Sequence, residues 1–180
     1  MKTSRIFIVF LIFMFACSPA YVRKGKKSIK QEVSRLKEAQ TYFRQLDTTR
    51  IRDIYTYYLS TLDSLKKYFK EKENDEQWHI MTKWGVVKKA LKVYLESYPA
   101  VEKDFQFSYK QLADLQHDLR YKLISKEAFE TYFSQEKEAN NNLCIRARML
   151  VDNANYSLSI YNQYKLKVDS LIQVMRAHQK

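Results

Sequence analysis

The chain has 180 residues, with 32 Lys and Arg against 20 Asp and Glu, so its formal net charge is +12. It contains only two glycines and two prolines, which argues against sandwiches, barrels and doubly wound sheets, because those folds need many sharp turns. The hydrophobic fraction of 46% is enough for a packed interior, and the length suits one core rather than a disordered chain.

The amino-terminal residues are typical of a targeting segment. Two basic residues precede an uninterrupted apolar run from Ile6 to Ala16, which is shorter than the roughly 20 residues that span a bilayer. The run ends in Met-Phe-Ala followed by Cys17. This ending resembles the lipobox of bacterial lipoproteins, in which a small residue precedes a cysteine that is acylated after cleavage. The resemblance implies a signal peptide over residues 1–16 and a lipid anchor on Cys17.

Two other interpretations of this segment stay open. Cleavage before Tyr21 would release a secreted soluble protein, and an uncleaved segment would itself hold the chain at the membrane. All three interpretations place the mature chain outside the cytoplasm. An acidic signal that resembles the surface-export signal of some Bacteroidota lipoproteins is missing after Cys17, which favours a chain that faces the periplasm.

A basic stretch follows the cysteine, and residues 17–27 are predicted to form a tether. Within residues 21–30 the chain has five basic side chains and no acid: Arg23, Lys24, Lys26, Lys27 and Lys30. An acyl chain combined with a polybasic patch strengthens attachment to anionic lipid, so these residues are candidate contacts for the membrane or for an acidic partner. The alternative is a solvated tether that holds the domain away from the membrane.

The mature chain is predicted to be helical, because apolar residues recur at spacings of three and four from Ser28 onward. Residues 47–49 mark a stutter or a short break, and Ser108 and Ser125 are expected to cap helices. An extended loop is expected from Pro99 to Phe107. The predicted helices of this single domain, residues 28–180, cover residues 28–72, 75–98, 108–123 and 126–178.

These lengths predict an all-α fold. The pattern favours an elongated antiparallel bundle of three layers with coiled-coil-like packing, spectrin-like in outline by analogy, whose middle helix is broken near Pro99. A compact four-helix bundle is the second possibility. The last helix is expected to continue through residues 140–142. Seams this regular can also pair with a second copy, so a homo-oligomer is possible.

No motif indicates catalysis. A phosphate-binding loop, a zinc-binding cysteine pair and a recognisable nucleophile–base pair are all missing from the sequence. Two pairs, Glu76 with His79 and Asp114 with His117, have the carboxylate–histidine spacing of di-iron bundles, but matching ligands elsewhere are lacking. We therefore expect surface histidines, with no metal, no cofactor and no enzymatic activity. Cys144 is the only thiol after Cys17 and is expected to be a half-buried helix residue.

Two further features could mark binding surfaces. The fourteen tyrosines are expected to pack within the bundle rather than to stack on glycans. The carboxyl-terminal helix is basic, and this charge is either a contact for acidic lipid or polymer or merely a solvated face. The basic residues from position 139 onward are Arg146, Arg148, Lys165, Lys167, Arg176 and Lys180.

The sequence thus favours a non-enzymatic, lipid-anchored protein of the cell envelope that acts as a helical spacer or docking scaffold for another envelope protein. The alternative is a periplasmic binding or chaperone-like module for acidic polymers, glycans or unfolded clients. Nucleic acid is not an expected partner, because the chain is expected to leave the cytoplasm.

Overall fold

A computed structural model of the protein describes residues 19–68 and 74–177. Within these residues the chain is helical and has no strand, so the predicted all-α helical bundle is confirmed. Cys17 and the lipobox residues lie outside the described part of the chain. The described helices are α1 (Ala20–Phe43), α2 (Thr48–Tyr68), α3 (Asp75–Tyr121) and α4 (Lys126–Ala177).

The first helix begins eight residues before the predicted start at Ser28. Val22, Gly25 and Ile29 are all buried, so the spacing of three and four that defines the core face already starts at residue 22. Residues 20–27 therefore form the first two turns of α1 rather than a tether. The lysine and arginine at the exposed positions of this extension led to the prediction of a solvated tether instead of a helix.

The predicted irregularity near residue 47 is a full break between α1 and α2. Asp47 caps α2, because its carboxylate Oδ1 accepts hydrogen bonds from the amides of Thr49 (2.8 Å) and Arg50 (3.2 Å). The single helix expected over residues 28–72 is thus two helices.

The predicted break at Pro99 is wrong, since α3 continues through the proline to Tyr121. An interior proline costs a helix about 3 kcal/mol. Val101 and Phe105 follow it at core positions and are almost fully buried. Each contributes about 1.5–3 kcal/mol, so burial outweighs the proline. The loop expected up to Phe107 is likewise helical, and Ser108 is a buried residue within the helix rather than a cap.

The fourth helix matches its prediction closely. The hydroxyl of Ser125 accepts a hydrogen bond from the amide of Ala128 (3.1 Å), which confirms the predicted cap. The helix is continuous through residues 140–142, as expected, although Asn140 is fully buried there. His178 and Lys180 lie outside the described residues.

The described chain forms two compact units, and three helical layers pack in each. Unit 1 comprises residues 19–37 and Phe105–Asn142, and unit 2 comprises Glu38–Asp104 and residues 143–177. The core of unit 1 is mainly aliphatic, with Ile29, Leu36, Leu112, Leu119 and Phe129. The core of unit 2 is richer in rings, with Phe43, Tyr58, Trp84, Tyr94 and Tyr164.

Candidate functional site

The five basic residues predicted to contact a membrane or partner all lie on α1, but they face three directions. Arg23, Lys27 and Lys30 lie within about 60° of one another around the helix axis and are exposed. Lys24 lies on the side of α1 next to α4, and Lys26 lies on the side next to α3. The three exposed residues form the basic face of α1.

A groove separates α1 from α4 within unit 1. Its volume is about 680 Å³, and we call it the α1–α4 groove. Its apolar part includes the rings of Phe129 and Phe133, while Lys24 and Lys137 contribute positive charge. Tyr21 and the ion pair of Lys126 with Glu130 also line the groove. The other lining residues are small: Ala20, Gly25, Ser28 and Ser134.

Gly25 allows this close approach of the helices. A Cβ atom at Gly25 would lie 2.5 Å from Cδ2 of Leu119 and 2.8 Å from Cζ of Phe129, well inside normal contact distance. No larger residue fits without movement of those side chains. The glycine thereby fixes the amino-terminal end of α1 against the end of α3 and the start of α4.

A second hollow, of about 400 Å³, lies between α1 and α3 in unit 1. Lys26, His117, Arg120 and Tyr121 line it. The imidazole of His117 lies 4.7 Å from the Tyr121 ring, and the Arg120 guanidinium lies 5.5 Å from the same ring. The hollow therefore has a basic and aromatic lining, which suits anionic groups better than cations.

Ion pairs bind the layers of unit 2 together. Arg44 donates hydrogen bonds to Glu102 from Nε (2.8 Å) and from a terminal nitrogen, and Gln40 donates another to it (3.0 Å). The hydrogen bonds from Arg44 hold the pKa of the Glu102 carboxyl below its usual range, against the effect of partial burial. This carboxylate therefore stabilises the contact of α1 with α3.

Many of the tyrosines pack within unit 2, as expected, whereas Tyr121, Tyr132 and Tyr156 are each more than half exposed. Trp84 is the centre of a ring cluster, with ring centroids at 5.5 Å from Tyr58, 5.7 Å from Tyr161 and 6.4 Å from Tyr57. We call these four residues the Trp84 cluster. The Tyr57 hydroxyl donates to Asp169, and burial is the main cause of the raised pKa of Tyr57.

The basic residues of α4 are largely engaged by unit 2 itself. Arg146 pairs with Asp104, and Lys165 pairs with Asp169 at 2.9 Å. The other described basic residues from position 139 onward lie over tyrosine rings, Arg148 over Tyr42, Lys167 over Tyr164 and Arg176 over Tyr68. This charge therefore serves internal contacts in unit 2 as well as solvation.

The two carboxylate–histidine pairs do not form a joint site. His79 is exposed, and its Nε2 lies 3.3 Å from the Tyr164 hydroxyl, whereas His117 lies beside Asp118 at 3.2 Å. Across residues 19–68 and 74–177, no group of three or more His, Cys, Asp and Glu side chains is arranged to hold a metal ion. Cys144 is half-buried and forms no disulfide within these residues.

The α1–α4 groove was not found from the sequence. Its aromatic residues, Phe129 and Phe133, are spaced by four in α4, a pattern that also suits a simple core face. Gly25 was a partial signal, because a glycine inside a helix is unfavourable and can have a packing reason, but Gly85, with no atom within 4 Å, shows that the signal is not specific.

Comparison with known proteins adds no relative: no family model, no curated protein and no solved structure matches the chain. Among the residues that the structure describes, no helix is both long and apolar enough to cross a membrane.

Proposed function

We propose that this protein is a non-enzymatic lipoprotein of the cell envelope, acylated on Cys17 and facing the periplasm, whose helical bundle is a docking scaffold for another envelope protein. The observation that carries this proposal is the start of α1 at Ala20. Only two residues separate Cys17 from that helix in the sequence. An acyl chain on Cys17 would thus be attached almost directly to a packed bundle.

The basic face of α1 supports attachment to an anionic membrane. Arg23, Lys27 and Lys30 are exposed, and none of them forms an ion pair with the described residues. Each basic residue near an anionic membrane surface contributes about 1 kcal/mol. A lipobox cysteine becomes diacylated, and two chains already anchor a protein stably, so the basic face would strengthen the attachment to anionic lipid rather than supply it.

The outer face of α4 in unit 2 supports docking rather than passive spacing. Ile145, Met149 and Tyr156 are each at least half exposed, and their spacings of four and seven place them on one side of the helix. Tyrosine and methionine are enriched in protein interfaces, and rows of exposed apolar side chains mark such surfaces.

The anchor is tested by the intact mass of the mature protein from the membrane fraction of a native-like host. The expected mass is that of an acylated chain that begins at Cys17. Cys17→Ser should abolish the acylated species, while the matched control Cys144→Ser should keep it. A soluble product that begins at Tyr21 would contradict the anchor.

Docking is tested by photo-crosslinkers placed at Met149 and Tyr156 in cells that produce the protein. We expect both positions to give adducts of the same discrete mass. Lys88, exposed on α3 of unit 2, is the control and should give none. Equal labelling at all three positions would indicate random collision and contradict a specific docking face.

A second function, the binding of acidic polymers, is favoured by the α1–α4 groove. Lys24 and Lys137 flank its phenyl rings, so an anionic group and an apolar part could both be held. Labelled polyphosphate should bind the purified protein, and Lys24→Glu together with Lys137→Glu should weaken binding more than Lys88→Glu combined with Lys89→Glu. Equal weakening by the two double variants would assign the binding to net charge alone.

A further inference from the structure

The connection between α3 and α4 exposes apolar side chains at one end of unit 1. We call residues 121–126 the tip. Tyr121 is 57% exposed and Leu123 is 63% exposed, and they are only two residues apart. The tip itself contains Lys122 and Lys126 and no acid, with Arg120 just before it and Asp118 and Glu127 as the nearest acids in the sequence. The tip therefore combines aromatic, aliphatic and cationic groups without a carboxylate of its own.

The backbone holds Leu123 outward. Lys122 has a left-handed conformation (φ 56°), and the amide of Leu123 donates to the carbonyl of Asp118 at 2.9 Å. This is the hydrogen bond that closes a Schellman motif, in which the residue at the position of Leu123 usually packs on an apolar residue of the last turn. The two positions that usually make this contact are Asp118 and His117 here, and Leu123 is 63% exposed.

The tip lies at the same end of unit 1 as the start of α1. Gly25 packs against Leu119 and Phe129, and farther along the same two helices Arg35 donates a hydrogen bond to the Asn141 side chain (3.1 Å). Within unit 1, α1 and α4 thus run parallel, and α3 ends where α1 begins. Cys17 and Ser18, which precede Pro19, are therefore joined to unit 1 at the end that carries the tip.

We propose that the tip enters the headgroup layer of an anionic bilayer, with Leu123 at the acyl boundary, as an attachment additional to the lipid anchor and the basic face of α1. Tyrosine prefers the interface of a bilayer, and lysine and arginine beside it can reach the phosphates. Lys122 and Lys126 of the tip complement anionic lipid, although Lys126 also pairs with Glu130. This proposal rests on the proposed anchor for its orientation, but the tip supplies its own contacts.

The test uses the full-length acylated protein in vesicles of equal parts phosphatidylcholine and phosphatidylglycerol. Cys144→Ser removes the other thiol, and Leu123→Cys carries a polarity-sensitive dye. Phe107→Cys is the matched control, because Phe107 is 60% exposed in the same unit but lies fourteen residues before Tyr121 in α3. We expect blue-shifted emission and protection from aqueous iodide at position 123, and neither at position 107.

A second variant tests the leucine itself. With the dye at Tyr121→Cys, the shielding should be present in the parent protein and lost in Leu123→Asp. Because Leu123 is exposed, this substitution should leave the helical circular dichroism unchanged. Equal quenching by iodide at positions 123 and 107, or shielding at 121 that survives Leu123→Asp, would overturn the proposal.

The same samples separate this proposal from that of the anchor. A mass that shows acylated Cys17 together with a water-exposed dye at 123 overturns the insertion of the tip and leaves the anchor intact. A mass that instead shows a product beginning at Tyr21, which lacks Cys17, overturns the anchor, and shielding of its dye at 123 by the vesicles would still support the insertion.

Discussion

The basic face of α1 in unit 1 and the basic residues of α4 in unit 2 differ in how far the fold engages them. In unit 2, arginine and tyrosine residues are engaged with carboxylates and rings of the same unit, as Arg44 is with Glu102 and Tyr57 is with Asp169. In unit 1, the basic face of α1 forms no ion pair with the described residues. A high net charge by itself therefore does not identify a binding surface. Basic side chains that form no ion pair within the fold are better indicators of a binding surface.

The largest expected effect concerns the ring-rich core of unit 2. Trp84→Ala removes the centre of the Trp84 cluster, and we expect a loss of about 3–5 kcal/mol in the free energy of unfolding. Denaturant unfolding measures it. Trp78→Ala, at a site 48% exposed, is the control and should cost clearly less, because about half of its side chain is already in solvent. Similar losses in both variants would show that the cluster is not central to stability.

The next prediction compares the charges of the two units directly. The triple variant Arg23→Gln, Lys27→Gln and Lys30→Gln should weaken partitioning of the protein to anionic vesicles by about 3 kcal/mol. The matched triple Arg146→Gln, Arg148→Gln and Lys165→Gln removes the same charge from α4. Its effect should be much smaller, because those groups already have partners. An equal loss of partitioning free energy in both triple variants would show that pairing within the fold does not affect how a basic residue contributes to membrane binding.

The two glycines test the packing of each unit. Gly25→Ala in unit 1 should destabilise the fold by about 1–3 kcal/mol, because the added methyl group overlaps Leu119 and Phe129. Gly85→Ala in unit 2 meets no atom within 4 Å, so it should stabilise the helix by about 0.4–1 kcal/mol. Thermal unfolding of both variants gives the comparison. Stabilisation by Gly25→Ala would show that the helices can separate at no cost.

The smallest expected effect is a pH dependence that originates in unit 2. The pKa of Glu102 is lowered in the folded state, so its contribution is present above the ordinary glutamate pKa and is lost as the pH falls through the folded value. Glu102→Gln should therefore cost about 1 kcal/mol at neutral pH and less below pH ~4. Glu96→Gln, which breaks an exposed pair with Lys92, is the control. An unchanged acid limb in Glu102→Gln would contradict this assignment.

Local patterns predicted the features that depend on one helix alone. The seam of α4 and its cap at Ser125 follow from spacing and residue type, and both are present. Pro99 was misleading, because the local cost of proline is outweighed by the burial of residues that follow it. The start of α1 was not predicted, because the buried position 25 is a glycine and so the apolar pattern is interrupted there.

The candidate sites were less predictable than the fold. The five basic residues of α1 were identified from the sequence. Which of them lie on the exposed face, in the α1–α4 groove or in the hollow beside α3 depends on the helices that flank α1, and the sequence did not show this. The tip was not identified at all. Its distinguishing property is the exposure of Leu123, and exposure at a helix end depends on the neighbouring turns rather than on spacing.

The break between α1 and α2 corrects an angular mismatch in the sequence. Ile51 lies eight positions after Phe43. In an unbroken helix it would therefore be rotated by about 80° from Phe43 around the helix axis, away from the direction of the core. The four residues between the helices absorb that rotation, and the Tyr94 hydroxyl donates to the carbonyl left open at Phe43 (2.9 Å). The short turn thus changes the rotation of the chain between the helices, so that Phe43 and Ile51 are both buried in the core of unit 2.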